Sequence, residues 1–390
     1  MKEPNPFNPG KPANPSEMVG RNEQIYDFER FLSGAMHESP MSMAVIGVRG
    51  IGKTSLLAKF EEVALEKGCI VIRLEAEENR FSRVEDVYKE ILRNLDTELK
   101  RRSILQRWEG GIKEFIGSFS FQITYSDIGI KIDTKEKEIE YLPIIFREKM
   151  INIWKNIKHE VPAVVIMIDE AEYLEQIKGS LMSLRNMFSR LAEKGCGCMV
   201  VISGKLTFHK ELSDIFSPLT RFFHIEKLDT LTREEVKIFV ERELKNEGVK
   251  IEHACIDKIV EDSEGHPYMV NVMGHVLYNK LKDNEHLIKI KHYNENFRDI
   301  MNYLALDLFD GMYSKVTDAE KLILLEIAKE PGEVSTSQIA KKLKKKFSVI
   351  ATPLQRLIEK NCIIKLKRGR YNIFHKLFRC YLLQNINIEA

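Results

Sequence analysis

The stretch Ala44–Phe60, AVIGVRGIGKTSLLAKF, carries Gly47, Gly52, Lys53 and Thr54 at the spacing G-x-x-x-x-G-K-[ST]. An apolar run precedes the glycines and a helix-like pattern follows them, which is the context of a phosphate-binding loop between a strand and a helix. In such a loop the glycines let backbone N–H groups turn towards phosphates, the lysine neutralises the β and γ oxygens, and the hydroxyl binds Mg²⁺. The sequence therefore predicts a site for a nucleoside triphosphate and Mg²⁺.

A second element, VVIMIDEAEYL, is an apolar run that ends at Asp169 and Glu170. A buried strand that ends in two carboxylates can place one near the metal ion and the other where it orients an attacking water. Taken alone, such a pair is more often a solvated turn, but the phosphate-binding loop upstream favours catalysis. We therefore expect Asp169 to hold Mg²⁺ with Thr54, and Glu170 to act as the base that hydrolyses the nucleotide.

Length and composition limit the classes of protein to which this chain can belong. The chain has 390 residues, of which 44% are hydrophobic and 30% charged, and its net charge is only +2. At roughly 100 to 200 residues per domain, we expect two or three folded domains. The six cysteines show no spacing typical of zinc, and the longest apolar run, Val161–Ile168, is too short to span a bilayer. These features predict a cytoplasmic protein with reduced thiols and no membrane segment.

The pattern along the chain predicts an α/β fold in which strands alternate with helices, so that a parallel sheet is covered on both faces. Alternating apolar residues at about 118–133 predict a β-hairpin inserted into this domain. From Thr232 onwards the pattern is helical without strands, up to the C-terminal segment. We predict four parts: a Pro-rich N-terminal arm (1–18), a P-loop core (19–230), a helical lid with a connecting helix (231–310) and a C-terminal domain (317–390).

The C-terminal segment is predicted to contain three helices, two short strands around KRGR and a last helix, which is the order of a winged helix-turn-helix. From Thr317 it holds fifteen Lys and Arg against seven Asp and Glu, a net charge of +8. Such a domain can bind duplex DNA through its phosphates, although winged helices also dock proteins and a lysine run is often only a solvated face.

The candidate DNA contacts are basic residues near the second helix and the wing, together with exposed residues of a recognition helix at about 348–359. They are Lys341, Lys344, Lys345, Ser348, Thr352, Gln355, Arg356, Lys367, Arg368 and Arg370.

The chain resembles the P-loop ATPases of the AAA+ and STAND groups, and more closely the archaeal ATPases and replication initiators of the origin-recognition type. The resemblance rests on the Pro-rich lead-in with NPF, VGR at Val19–Arg21, the P-loop, the Asp-Glu strand, SPLTRFFHIEKLDTLTREEV, EGHPYMV and the C-terminal domain. Together these features cover nearly the whole chain. The resemblance implies ATP and ADP as ligands.

The resemblance also implies roles for individual residues. Ser203 matches a polar residue that senses the γ-phosphate, although a strand-end hydroxyl that bonds backbone is the alternative. Arg221 matches an arginine that enters a neighbour's site or braces its own, with a surface salt bridge as the alternative. Val19–Arg21 match the segment that lies against the adenine and its entry. The implied nucleotide-binding residues are Val19, Gly20, Arg21, Gly47, Val48, Arg49, Gly50, Ile51, Gly52, Lys53, Thr54, Ser55 and Pro267, the last in the G-x-P turn of the lid.

Two departures from the family pattern are visible. Gln24 stands where these ATPases usually have glutamate, so an ion pair there is lost or replaced by an amide hydrogen bond. No arginine lies beside Gly265–Pro267, where AAA+ initiators carry a lid arginine, and this favours a STAND-like switch.

Two hypotheses of different class follow. The first is an ATP-hydrolysing switch that couples nucleotide state to the binding of double-stranded DNA by the winged helix. The second is a STAND-type signalling ATPase whose winged helix and hairpin bind protein partners, with self-association also open. A processive motor is less favoured because no further strand-engaging motif is present.

Overall fold

The computed structural model describes residues 4–77, 80–102, 135–177, 179–205 and 222–389. For 135–141 and 385–389 it describes the backbone only. The chain forms two compact units. One, the sheet unit, comprises Ala13–Arg49 and Lys53–Leu228. The other, the helical unit, comprises Met1–Pro12, Gly50–Gly52 and Asp229–Ala390.

The sheet unit contains a five-stranded parallel sheet in the order β2-β3-β4-β1-β5. The parallel sheet and the P-loop fold predicted from the sequence are therefore confirmed. The acidic strand is separated from the P-loop strand by one strand, as in the AAA+ group that the chain resembles. The strands are β1 (Ser42–Ile46), β2 (Ile70–Glu75), β3 (Val164–Asp169), β4 (Cys198–Gly204) and β5 (Phe223–Lys227).

Five helices within the described residues surround this sheet, and every residue of β1, β3 and β4 is buried. Continuous apolar strands of this kind are expected where helices cover both faces of a parallel sheet. The first two helices are held together by Phe28 and Phe60, whose rings stack with centroids 4.2 Å apart. The helices are α1 (Asn22–Met36), α2 (Lys53–Glu66), α3 (Val84–Arg101), α4 (Lys135–Ile157) and α5 (Ser180–Glu193), with a 3₁₀ turn at Ala171–Gln176.

The lid region of the helical unit is mainly helical. It contains α6 (Arg233–Asn246), α7 (His253–Ser263), α8 (Pro267–Lys280), α9 (Ile290–Leu304), a π-helical turn (Ala305–Phe309) and α10 (Asp310–Tyr313). The prediction that strands stop at Thr232 is wrong in one detail, because β6 (Lys250–Ile251) pairs with β7 (Leu287–Ile288). Two-residue strands carry too little alternation to be recognised in a sequence.

The N-terminal arm is part of the core of this helical unit. Phe7 is buried among the lid residues, and its ring meets Phe239 edge-on at 6.1 Å. Asn5 anchors the arm further, since its amide donates to the carbonyl oxygen of His275 at 2.9 Å. The sequence predicted an extended arm but not this burial, because a proline-rich stretch shows no periodicity that marks an inward face.

The C-terminal module, residues 317–389, contains the predicted helices and the two strands around KRGR, and it has one further strand, β8 (Val334–Ser335), that the sequence did not predict. The order is α11 (Asp318–Ala328), β8 (Val334–Ser335), α12 (Thr336–Leu343), α13 (Phe347–Glu359), β9 (Ile363–Lys367), β10 (Arg370–Ile373) and α14 (Lys376–Glu389), with the strands arranged β8-β10-β9. Gly369 turns the chain between β9 and β10 with φ +71°. Ser335 caps α12 by accepting the N–H of Gln338 at 3.2 Å.

A buried histidine joins the C-terminal module to the lid within the helical unit. His375 Nε2 donates to the carbonyl oxygen of Ser263 at 2.9 Å, and its Nδ1 accepts the N–H of Leu377 at 3.1 Å. Both ring nitrogens are satisfied by the neutral imidazole, and burial lowers the pKa of His375 from its ordinary value. Beside it, Lys376 Nζ lies 2.9 Å from the carboxylate of Asp262 in the lid.

Several predictions fall outside the described residues: the hairpin at 118–133, a short helix near 208–216 and Arg221. They stay predictions. Among the helices that the structure describes, none is both long and apolar enough to cross a membrane.

Candidate nucleotide site

The P-loop follows β1 and ends where α2 begins at Lys53. Gly50 and Gly52 adopt φ values of +77° and +100°, which the left-handed region permits for glycine at little steric cost. Lys53 Nζ donates to the carbonyl oxygens of Gly47 and Val48, both at 3.0 Å. The loop therefore curls around the lysine ammonium at the N-terminus of a helix, as phosphate binding requires.

Acidic side chains dominate the surroundings of Lys53. Burial lowers the pKa of Lys53, and the negative charges of Glu172, Asp169 and Glu170 oppose that shift. Burial and repulsion from Glu172, Asp169 and Glu75 in turn raise the pKa of Glu170. Like charges this close disfavour one another, and a divalent cation relieves that repulsion. The donor set thus fits Mg²⁺, with Thr54 and Asp169 as the residues that would hold it.

Asp169 is the buried carboxylate at the end of β3, with only 4% of its surface exposed. Its Oδ1 accepts the N–H of Glu170 at 3.1 Å and the hydroxyl of Ser203, which is fully buried at the end of β4. Ser203 Oγ also accepts the N–H of Glu170 at 3.3 Å. Ser203 thus orients the acidic pair and also bonds backbone, as the alternative considered above expects. Its role towards the γ-phosphate stays a prediction.

Glu170 follows directly, in a left-handed backbone conformation with φ +54°. A non-glycine residue with this conformation is uncommon and is often found at functional sites. The turn ends β3, begins the 3₁₀ turn and leaves Glu170 exposed while Asp169 is buried. One carboxylate is therefore held in the protein, and the next is accessible to water.

Arg73 on β2 connects the P-loop helix with the acidic strand, and sequence reasoning missed it. Its guanidinium donates to the carbonyl oxygen of Thr54 at 3.2 Å and to Glu61 at 3.1 Å. The same group lies 3.7 Å from Asp169 Oδ2. Arg73 therefore places the two expected Mg²⁺ ligands in one neighbourhood. The available signal was a single charged residue inside the apolar strand IVIRLE.

The segment expected to contact adenine starts beside the P-loop helix. Ser55 Oγ accepts the N–H of Ala13 at 3.0 Å, which holds the entry to this segment against α2. Gly20 has φ +71°, and the buried Arg21 donates to the carbonyl oxygen of Gly20 at 2.9 Å before α1 begins. The turn at Val19–Arg21 is therefore held by the hydrogen bond of Ala13 before it and by that of Arg21 within it. Their contact with adenine stays a prediction.

The lid turn lies in the helical unit, where His266 precedes α8 and Pro267 is its first residue. A Cβ on Gly265 would come within 2.0 Å of the carbonyl oxygen of Leu231, so only glycine fits here. Gly50 approaches the same turn, because a Cβ on it would lie 2.9 Å from His266 Cε1. Pro267 directly follows His266, the residue beside which Gly50 lies.

The remaining P-loop residues differ in exposure: Ile51 is buried and Arg49 is exposed.

The basic residues predicted to contact DNA fall into two groups. Lys367 and Arg370 both approach Glu333, at 3.6 and 3.3 Å. A second group has no ion-pair partner among the residues that the structure describes: Lys341, Lys344, Lys345, Arg356 and Arg368. Ser348, Thr352 and Gln355 are exposed on α13, and the Gln355 amide donates to Glu359 at 3.0 Å.

Comparison with protein families agrees with the fold. Residues 17–204 match the model of the AAA ATPase domain, and residues 307–382 match that of a domain of unknown function. The first match spans the P-loop, Asp169, Glu170 and Ser203. Residues 17–204 are thus similar to an AAA ATPase domain, a class of domain that binds nucleotides.

Individual relatives are distant in sequence. An uncharacterized HTH-type transcriptional regulator of Methanocaldococcus jannaschii is 25% identical over 389 residues, covering 96% of this chain and 90% of the relative. A Walker-type ATPase of Pyrococcus abyssi superposes with a TM-score of 0.63 at 16% identity, covering 97% of this chain and 99% of that one. The ORC2 protein of Aeropyrum pernix gives a TM-score of 0.63 at 11% identity, covering 99% and 97%. The two structures establish similarity of fold alone.

Proposed function

We propose that this protein is an ATP-binding and ATP-hydrolysing switch whose nucleotide state controls DNA binding by the C-terminal module, a winged helix-turn-helix. The observation that carries the proposal is the bonded set at the ends of β3 and β4. There the buried Asp169 is oriented by Ser203 and followed by the exposed Glu170. The negative charges of Glu172, Asp169 and Glu170 all act on Lys53. A solvated turn would not require a buried serine to orient its aspartate.

Each residue has a defined task in hydrolysis. Lys53 would bind the β- and γ-phosphate oxygens, and Thr54 and Asp169 would hold Mg²⁺, which would neutralise charge on those phosphates. Glu170 orients a water and accepts its proton, and its raised pKa makes the carboxylate a stronger base. Ser203 keeps the acidic pair in position. Arg221 contacts the γ-phosphate of its own subunit or of a neighbour's.

DNA binding is proposed from charge and from the named relative. The M. jannaschii relative is an HTH-type transcriptional regulator by name, and its alignment extends over nearly the full chain. The C-terminal module carries the net charge of +8, and five of the seven basic residues predicted to contact DNA have no acidic partner among the described residues. Unpaired Lys and Arg release counterions when they meet phosphates, which is the main source of affinity for a duplex.

A second candidate function is supported by an exposed apolar surface on the same module. Phe347 is 63% exposed at the first turn of α13, Val349 is 54% exposed, and Leu366 on β9 is 51% exposed. Large exposed apolar side chains are typical of protein docking surfaces. A STAND-type signalling ATPase whose module docks a protein partner is therefore the alternative.

The test measures ATP hydrolysis and duplex binding by the full chain. We expect Glu170→Gln to lower turnover by about 10²- to 10⁴-fold while ATP binding is retained, as for loss of a general base. Glu172→Gln is the matched control, since it removes a charge from the same turn, and we expect it to change turnover less than tenfold.

The second arm of the test concerns coupling. Salt-sensitive duplex affinity that differs between ATP-bound Glu170→Gln and ADP-bound wild type supports the switch. Equal affinity in both nucleotide states rejects the coupling, and an absence of duplex binding at low salt favours the docking alternative. Unchanged turnover in Glu170→Gln rejects the hydrolytic site itself.

A further inference from the structure

A cluster of three metal-ligating side chains lies on the edge strand of the sheet unit. Asp27 on α1 and His224 and Glu226 on β5 each offer one ligand atom, and these atoms lie within 4.8 Å of one another. His224 Nε2 is 2.8 Å from Glu226 Oε1 and 3.7 Å from Asp27 Oδ2. We propose that these three side chains bind a divalent transition-metal ion of the zinc class.

The backbone explains why these residues meet. Residues i and i+2 of a strand face the same side, so His224 and Glu226 project together from β5. The neighbouring helix α1 reaches this side of the strand, because the ring of Phe31 lies edge-on against the His224 imidazole at 4.9 Å. Asp27, one turn before Phe31 on the same helix face, then reaches the imidazole.

Outer partners hold the carboxylates in the orientation that a metal requires. Asp27 Oδ1 accepts from Arg30 at 2.8 Å, while its Oδ2 faces His224. Glu226 Oε2 accepts from the Gln24 amide at 3.3 Å, while its Oε1 faces His224. Each carboxylate thus keeps one oxygen for the cluster and has the other fixed by a neighbour. Metal-ligating carboxylates are typically positioned in this way.

The donor set selects the class of ion. One imidazole nitrogen and two carboxylate oxygens suit Zn²⁺, Mn²⁺ or Co²⁺, whereas Mg²⁺ and Ca²⁺ prefer oxygen ligands throughout. Tetrahedral ligands at zinc distances lie about 3.3 Å apart, and the separations of 2.8 and 3.7 Å from His224 bracket that value. The side chains of Asp27, His224 and Glu226 are 24%, 37% and 14% exposed. Water can therefore complete the coordination.

The proposed site is separate from the nucleotide site. Asp169 lies on β3, and β5 is three strands away in the sheet order. At a strand spacing of about 4.8 Å this amounts to about 14 Å. A metal here would join α1 to the edge strand β5. Since α1 begins directly after Val19–Arg21, the ion would also steady the segment expected to contact adenine.

The test is Zn²⁺ titration of the chelator-treated, nucleotide-free full chain by calorimetry. We expect one Zn²⁺ per wild-type chain and loss of this binding in His224→Ala. Gln24→Ala removes only an outer partner, so we expect an affinity about tenfold lower. His253→Ala, an exposed histidine of the helical unit, is the matched control and should bind as wild type does.

Two further measurements separate this site from the alternatives. Asp169→Asn should keep the Zn²⁺ binding, since binding lost there would assign the ion to the nucleotide site. Co²⁺ should give visible absorption bands that disappear in Glu226→Gln, a conservative variant that preserves side-chain volume. Equal Zn²⁺ stoichiometry in wild type and His224→Ala, or no binding by wild type, would overturn the proposal.

Discussion

Burial of the N-terminal arm in the lid can be tested at Gly274, a residue in the middle of α8. A Cβ built on Gly274 would lie 2.5 Å from Phe7 Cδ1 and Cε1 and 2.7 Å from Cζ. The Phe7 ring therefore occupies the space that a side chain at this position would need. We predict that Gly274→Ala destabilises the helical unit in wild type and stabilises it once Phe7 is removed.

The magnitude follows from two opposing effects. Overpacking against a buried ring costs about 1–3 kcal/mol, whereas alanine in place of glycine inside a helix gains about 0.5–1 kcal/mol. With both effects at the middle of their ranges, Gly274→Ala alone should therefore cost about 1 kcal/mol. Phe7→Ala alone should cost about 3–5 kcal/mol, and in that background Gly274→Ala should gain about 0.5–1 kcal/mol. The sign change comes only from the contact with Phe7.

The assay must report on the helical unit. Trp108 and Trp154, the two tryptophans, are outside its residues, so fluorescence is unsuitable. Hydrogen exchange of the α8 amides measures the free energy of opening locally. Gly311→Ala is the matched control, because no atom lies within 4 Å of its added Cβ, and it should be neutral or stabilising in both backgrounds. The same destabilisation by Gly274→Ala with and without Phe7 would refute the packing argument.

Three further predictions concern the site, the basic module and pH. Ser203→Ala should lower ATP turnover about tenfold, equivalent to about 1.4 kcal/mol, because Asp169 loses the hydroxyl that orients it; steady-state hydrolysis measures this. Lys344→Ala with Lys345→Ala should reduce the slope of log affinity against log salt for duplex DNA by up to about 2, whereas Lys342→Ala, whose lysine is already paired with Glu330, should change it little. The thermal stability of the helical unit should fall below about pH 6.5, since the unfolded chain protonates His375 before the folded one does.

Each of these has a contrary outcome. Unchanged turnover in Ser203→Ala would show that Asp169 needs no such support. Equal salt slopes for the Lys342 variant and the double variant would indicate that ion pairing does not decide which lysines meet DNA. An identical pH dependence of the melting temperature in wild type and His375→Gln, followed by circular dichroism, would remove His375 as the cause.

The predicted element types and the phosphate-binding loop depended on local patterns. The loop spacing at Gly47–Thr54, the acidic pair after an apolar strand and the order of helices and strands in the last segment are each contained within a few tens of residues. Helix α13 starts one residue earlier than expected, at Phe347. Local spacing is sufficient here because strands, helices and tight loops depend on the backbone conformations of neighbouring residues.

Contacts between segments that are far apart along the chain could not be predicted from the sequence. Arg73 was missed because a charged residue in a strand gives no sign of which partners it will meet. Phe7 was missed because its place in the lid core depends on residues more than 200 positions away. The role of Ser203 was left open, and its bond to Asp169 across 34 residues exists only because β3 and β4 are neighbours in register.

The sequence alone therefore determined that this chain holds a P-loop between a strand and a helix, with an acidic strand end and a basic C-terminal module. The P-loop and the acidic strand end depend on short-range spacing, and the basic character of the module depends on its net charge. Only the tertiary structure decided the strand order, the bracing of Asp169 by Ser203 and Arg73, and the cluster of Asp27 with His224 and Glu226. The physical reason is that side chains from separate elements meet only after sheet register and helix packing are set, and burial then selects which polar groups must be paired.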